Sequence, residues 1–176
     1  FGVDGTLFDI TGKMLYPVIS WQCERTNTIM EQIGKYIPLD DLYKECGVLP
    51  FTFNTINKLI WFFEQKPELV EKSHLFLFMP SIFSYFLTGE MVNDMTMAGT
   101  SMLTTLSNRG FSDNILNRIS FPAGKTGVPA EPGRARGHGH RASLRLAGGR
   151  LQWRFLLRPQ RPGWQDTAPR PDAGEY

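Results

Sequence analysis

An α/β chain with more helix than strand is what this sequence predicts, on three observations. Residues 1–10 and 74–78 are short runs rich in β-forming side chains. Apolar residues recur at helical spacing through residues 24–36 and 53–65. Pro or Gly stands wherever one such run gives way to the next, as at Pro38, Gly47, Pro67, Pro80 and Gly89.

Taken in order, residues 1–10 alternate imperfectly, Thr11, Gly12 and Lys13 make a turn, and residues 14–21 form a second apolar run with Val18 and Ile19. Together they predict a β-hairpin. Ile29, Ile33 and Ile37 fall four apart with polar residues between them, the pattern of an amphipathic helix over 24–36 that Pro38 stops. Leu39–Cys46 reads as a short helix closed by Gly47. Ile56, Leu59, Ile60 and Phe63 give residues 53–65 one buried helical stripe. Pro67 opens another short helix over 68–72. Residues 74–78 are compact and apolar, a buried strand. Pro80 starts a helix through Phe86 that Gly89 closes, and residues 95–106, rich in Thr and Met, fit no single type. Ser112 or Asp113 caps a last helix to Arg118, with Ile115, Leu116 and Ile119 facing inward.

The 176 residues, 41% apolar and 20% charged, suit a chain that folds over most of its length. No run of about 18 apolar residues predicts a membrane span. Phe1 in place of Met, followed by Gly2, Val3, Asp4 and Gly5, reads like the middle of a protein, with no signal segment. Cys23 and Cys46 are too few for a disulfide framework and match no zinc spacing, so a reducing, cytoplasmic setting is expected. The charge is split. Residues 1–121 carry nine Lys and Arg against thirteen Asp and Glu, and residues 122–176 carry ten against four. All ten isoleucines and all seven asparagines lie before residue 122, and nine of the twelve arginines after it. Two domains of composition follow: residues 1–121, and an Arg/Gly/Pro-rich tail over 122–176 expected to be disordered. The tail has three readings. It is a frameshifted or foreign sequence, a basic arm that binds RNA or DNA through phosphates with Trp153 and Trp164 stacking on bases, or a divergent domain.

Residues 53–65, FNTINKLIWFFEQ, hold Phe53, Thr55, Lys58, Trp61, Glu64 and Gln65 at fixed offsets. This spacing resembles the first signature of the FGGY carbohydrate kinases. FGVDGTLFDITGKMLYPVISWQCERT at the start and FLTGEMVNDMTMAGTSML over residues 86–103 are similar, in the same order, to the L-fuculose kinase branch of that family, with the L-rhamnulose kinases next to it. The resemblance covers residues 1 to about 121. It implies part of a ribonuclease-H-like domain of the actin and hexokinase type, whose hairpin awaits strands from outside these residues. It implies transfer of the ATP γ-phosphate to L-fuculose, with magnesium, giving L-fuculose 1-phosphate; rhamnulose and xylulose are the alternative sugars. Phosphoryl transfer needs positioning, charge neutralisation and a base. The family's N-terminal phosphate hairpin, its Asp-bearing base block and its adenosine site do not occur in this sequence, so the chain is expected to be an inactive piece of the enzyme. A catalytic residue, a cofactor site and a metal site are therefore not assigned. A non-enzymatic domain with a nucleic-acid-binding tail, or the product of a disrupted gene, are the other expectations.

By the same resemblance Gly2 and Asp4 border the sugar, and Arg25 belongs to a Trp-x-Asp-x-Arg block in which Cys23 stands for the Asp. Glycine lets backbone approach a hydroxylated ligand, and a carboxylate accepts from a hydroxyl. The plainer readings are turn residues for Gly2 and Asp4 and a helix-start anchor for Arg25. Phe1 is a further candidate wall. Lys58 and Trp61 read as structural, the lysine stem packing on the ring one turn on. Gly124, Lys125 and Thr126 lack the earlier glycine of a phosphate loop, Ile standing at position 119. His138 and His140 lack further ligands, and Asp40 and Asp41 suit a solvated helix start.

Overall fold

The computed structural model describes residues 2–107 and 110–130, and the backbone of residues 146–147 and 150–151. Two units divide the chain, Phe1–Arg136 and Gly137–Tyr176. Strand β1, Gly5–Phe8, pairs antiparallel with β2, Leu75–Phe78, so that Leu7 faces Phe76 and Phe8 faces Leu75. All eight residues are buried, which is why both strands read as continuous apolar runs rather than as alternation. Seven helices complete the described first unit: α1 Asn27–Glu31, α2 Leu39–Cys46, α3 Thr55–Gln65, α4 Pro67–Lys72, α5 Met79–Thr88, α6 Met95–Gly99 and α7 Asp113–Arg118. In the second unit β3, Leu146–Ala147, pairs antiparallel with β4, Arg150–Leu151. Residues 122–130 of the tail are described with the first unit; the tail residues after Ala130 other than these four, with their expected disorder, His138, His140, Trp153 and Trp164, lie outside the described residues. Among the described residues no helix is long and apolar enough to cross a membrane.

The strand pair separates two apolar clusters. Leu7, Phe76 and Phe78 join the larger one with α1, α2, α3 and α7, while Phe8, Leu75 and Leu77 join Ile82 of α5. Directly opposed residues share a face, so each strand feeds both clusters.

The expected hairpin is only tacked together. The run after the turn at Gly12 touches β1 through isolated bridges, Met14 to Phe8 and Ile19 to Gly5, and the regular partner of β1 is β2. Pro17 lies between the two bridges and has no N–H to give to a ladder. The helix expected over 24–36 breaks into a 3₁₀ turn at Glu24–Thr26, the short α1, and a 3₁₀ turn at Ile33–Lys35. Thr26, Asn27, Thr28 and Gly34 are weak helix formers, yet Ile29, Ile33 and Ile37 all reach the core. Residues 95–106, which fitted no type, contain α6; Asp94 caps it by accepting from the Thr96 and Met97 N–H groups.

The outer edge of β2 is closed by one side chain. Buried Asn93 accepts from the Phe78 N–H (3.1 Å) and donates to the Phe76 carbonyl (2.7 Å) and the Thr126 carbonyl (2.9 Å). Its backbone carbonyl takes the Ala130 N–H, and the Met95 N–H returns to the Ala130 carbonyl. Lys125 adds bonds to the carbonyls of Ser73 (2.5 Å) and Glu71 (3.0 Å), a structural use of the Gly124, Lys125 and Thr126 run. Phe121, Thr126 and Ala130 are buried. Packing therefore continues past the compositional change near residue 121.

Candidate functional site

Helix α3 starts where Asn54 turns the chain, its side chain bonding the Phe51 N–H (2.5 Å) and the Thr100 carbonyl (3.2 Å). Its first two turns are buried nearly all round, polar members included: Thr55, Asn57 and Lys58 are each 0% exposed. Burial of such groups requires partners. Thr55 Oγ1 donates to the Val3 carbonyl (2.8 Å), and Asn57 Nδ2 donates to the carbonyls of Phe51 (3.0 Å) and Thr52 (3.1 Å). Lys58 Nζ donates to the carbonyls of Val3 (2.9 Å) and Phe53 (2.7 Å) and lies 3.6 Å from Asp4 Oδ1. Burial pushes the Lys58 ammonium down to about 8, against the support of the Asp4 charge.

The loop of residues 2–4 is thus tied down from several sides. Val3 gives its carbonyl to two α3 side chains, and the Asp4 carbonyl accepts from the Met79 N–H at the start of α5 (2.8 Å). Asp4 is buried, whereas Gly2 and Val3 are part exposed. A Cβ on Gly2 would run into the sulfur of Met97 in α6, so that the flexible thioether would have to shift. The Phe51 and Phe53 rings are stacked 5.0 Å apart and 5° from parallel.

Arg25 belongs to a second cluster, one turn further along α3. Its exposed guanidinium lies 4.8 Å from the Trp61 ring centre, with Nε on the Cys23 sulfur (2.8 Å) and Nη1 on the Tyr16 hydroxyl (3.0 Å). Burial opposes its charge, but the hydrogen bonds to Tyr16 and Cys23 outweigh it and hold the guanidinium above the ordinary arginine value. The cation over Trp61 is therefore Arg25, while Lys58 turns inward. Of the three residues expected at a sugar, Gly2 and Asp4 share one loop, and Arg25 stands in the separate cluster with Trp61, Cys23 and Tyr16. The position of Phe1 is outside the described residues.

Sequence reasoning underrated Lys58 and missed Met97 and Asn93. A legible signal existed for Lys58, a cation between Ile56 and Ile60 in an apolar helix. Phe62, not Phe63, completes the buried face of α3, and Phe63 is exposed. Among the described residues no three His, Cys, Asp or Glu side chains come together as a metal site. The loop offers a backbone edge at Gly2 and the buried Asp4 carboxylate, and the second cluster offers an arginine among aromatic rings.

The sequence pattern of the FGGY family of carbohydrate kinases, N-terminal domain, matches residues 1–125. An L-fuculokinase of Salmonella typhi is 50% identical over 116 residues, 66% of this chain and 25% of that protein. A rhamnulokinase of Enterobacter sp. (strain 638) is 34% identical over 142 residues, 78% of this chain and 28% of its own. Among solved structures, ligand-bound xylulose kinase from Lactobacillus acidophilus superposes with a TM-score of 0.65 at 18% identity, over 73% of this chain and 26% of that one. The fold is thus part of the ribonuclease-H-like domain of the actin and hexokinase type, as expected. The chain spans about a quarter of the length of the curated relatives it matches.

Proposed function

Because this chain belongs to the FGGY family of carbohydrate kinases, we propose that it forms part of the sugar-holding surface of an ATP- and magnesium-dependent L-fuculose kinase. The reaction would place the γ-phosphate of ATP on a ketose hydroxyl, giving L-fuculose 1-phosphate and ADP. The observation that carries this reading is the loop of residues 2–4, held in shape by Thr55 and Lys58 of the signature helix. Gly2 offers unobstructed backbone to a sugar hydroxyl. Asp4, paired with Lys58, is an acceptor of fixed direction. Arg25, spread over Trp61, presents its remaining N–H groups at the rim.

On this reading the chain alone binds a ketose and transfers no phosphate, since the sequence has no block resembling the family's phosphate hairpin or base. Rhamnulose is the second reading, favoured by the rhamnulokinase at 34% identity. The setting is cytoplasmic and the partner a small sugar.

Titrating the purified 176-residue chain with L-fuculose, L-rhamnulose and D-xylulose, followed by amide NMR, tests the proposal. L-fuculose should bind most tightly and move the Gly2 and Asp4 signals. A coupled ADP assay with ATP and magnesium should show no turnover above buffer. Shifts confined to other parts of the chain would remove the sugar site, and clear turnover would remove the claim of inactivity.

A further inference from the structure

One buried ammonium connects two separate pieces of the surface described above, the loop of residues 2–4 and the backbone at Phe53. Lys58 Nζ reaches the Val3 carbonyl in the loop, the Phe53 carbonyl below the stacked rings, and the Asp4 carboxylate. A lysine with 0% exposure is held at a cost in hydration, and its position cannot be filled by an apolar side chain of the same length without leaving two carbonyls short of a donor. We infer that Lys58 is the positioning residue of this site, fixing the backbone of residues 2–4 against Phe53 so that both present one surface to the sugar without Lys58 touching it. The inference rests on the sugar-site reading.

The groups that bear on its charge are Asp4, ahead of β1, and the Cys23 thiol, ahead of α1; its other neighbours are the backbone carbonyls of Val3 and Phe53. An ammonium has three N–H donors and a neutral amine two. Loss of its proton therefore ends the ion pair with Asp4 and leaves two N–H donors to be shared among the acceptors at Val3, Phe53 and Asp4. The change is readable from the peptide groups whose carbonyls it holds, through the amides of Asp4 and Asn54, which follow Val3 and Phe53.

The test uses the whole ¹⁵N-labelled chain. Between pH 6.5 and 9.5 the Asp4 and Asn54 amides should move together with one midpoint near 8, the value to which burial brings Lys58. Asp4→Asn, which removes the carboxylate that supports the cation, should lower that midpoint. Amides that move separately, or not at all, overturn the proposal. In a second arm, Lys58→Met should weaken L-fuculose binding at least about tenfold while thermal unfolding stays cooperative; unchanged affinity overturns the proposal. Should Lys58→Met fail to fold, the pH arm alone decides. Should no ketose move any amide, the sugar site is lost, and the joint titration of Asp4 and Asn54 still decides whether Lys58 fixes the loop.

Discussion

Replacing Asn93 with Ala should cost the fold about 3–5 kcal/mol. The side chain makes three hydrogen bonds, to Phe78 N–H, Phe76 carbonyl and Thr126 carbonyl, in a site 2% exposed. Each neutral hydrogen bond contributes roughly 1 kcal/mol net, and each buried backbone group left unpaired costs about 1–3 kcal/mol. Water entering the gap would recover part of that, which is why the sum is set near the low end. Against a total of about 5–15 kcal/mol for a domain, this is a large share. With a urea slope of about 1–2 kcal/mol per molar, the unfolding midpoint should fall by roughly 1.5–5 M. The assay is urea unfolding followed by tryptophan fluorescence and by far-UV circular dichroism. Asn93→Asp supplies the internal check: it keeps the acceptor for Phe78 but has no donor for the two carbonyls, so it should be no more stable than Asn93→Ala near pH 7. A loss below 1 kcal/mol for Asn93→Ala would refute the reasoning, and so would an Asp variant close to wild type.

Three further outcomes are expected. Glu45 accepts from the Ser112 hydroxyl and from Asn114 Nδ2 (2.6 Å), joining the end of α2 to the start of α7; Glu45→Ala should remove roughly 1–2 kcal/mol, read by calorimetry, and an unchanged melting temperature would count against the link. The Tyr36 phenol, which donates to Glu64, is pushed up to about 12, first by burial and then by that carboxylate. Its contribution is present below pH 10 and is lost as pH rises from about 10 to 12; ultraviolet titration should show one tyrosine ionising late, and Tyr36→Phe should abolish that phase. Gly2→Ala should weaken ketose binding about fivefold or more by pushing against Met97, and Met97→Ala in the same chain should restore it. Equal affinity of Gly2→Ala and wild type, measured by NMR titration, would dismiss this role of the glycine.

Local chemistry made most elements legible. Pro67 and Pro80 stand in the first turns of their helices, Gly47 and Gly89 close theirs at φ 68° and 77°, and Ser112 caps α7. The pairing of β1 with β2 was not legible, because apolar strands buried on both faces carry no register signal that distinguishes one partner from another. The resemblance to FGGY kinases found the family and the segments around Gly2, Asp4 and Arg25. It did not reveal that Lys58 and Asn93 are buried, since a polar side chain on an apolar element looks solvated until its acceptors are placed, and those acceptors come from distant carbonyls. Lys58 finds Val3, and Asn93 finds Thr126, only after the chain has folded.

Anyone trimming this chain would naturally cut at the seam where isoleucine and asparagine give way to arginine. The strap from Ala123 to Ala130 makes that a poor place. Scissors after Phe121 would take away Thr126, leave the Asn93 amide one acceptor short, and strip Lys125 from the carbonyls of Glu71 and Ser73. The margin of β2 would then be loosely guarded, and a bare strand margin invites another copy to zip onto it. A shortened version that stays single in solution should keep everything through Ala130.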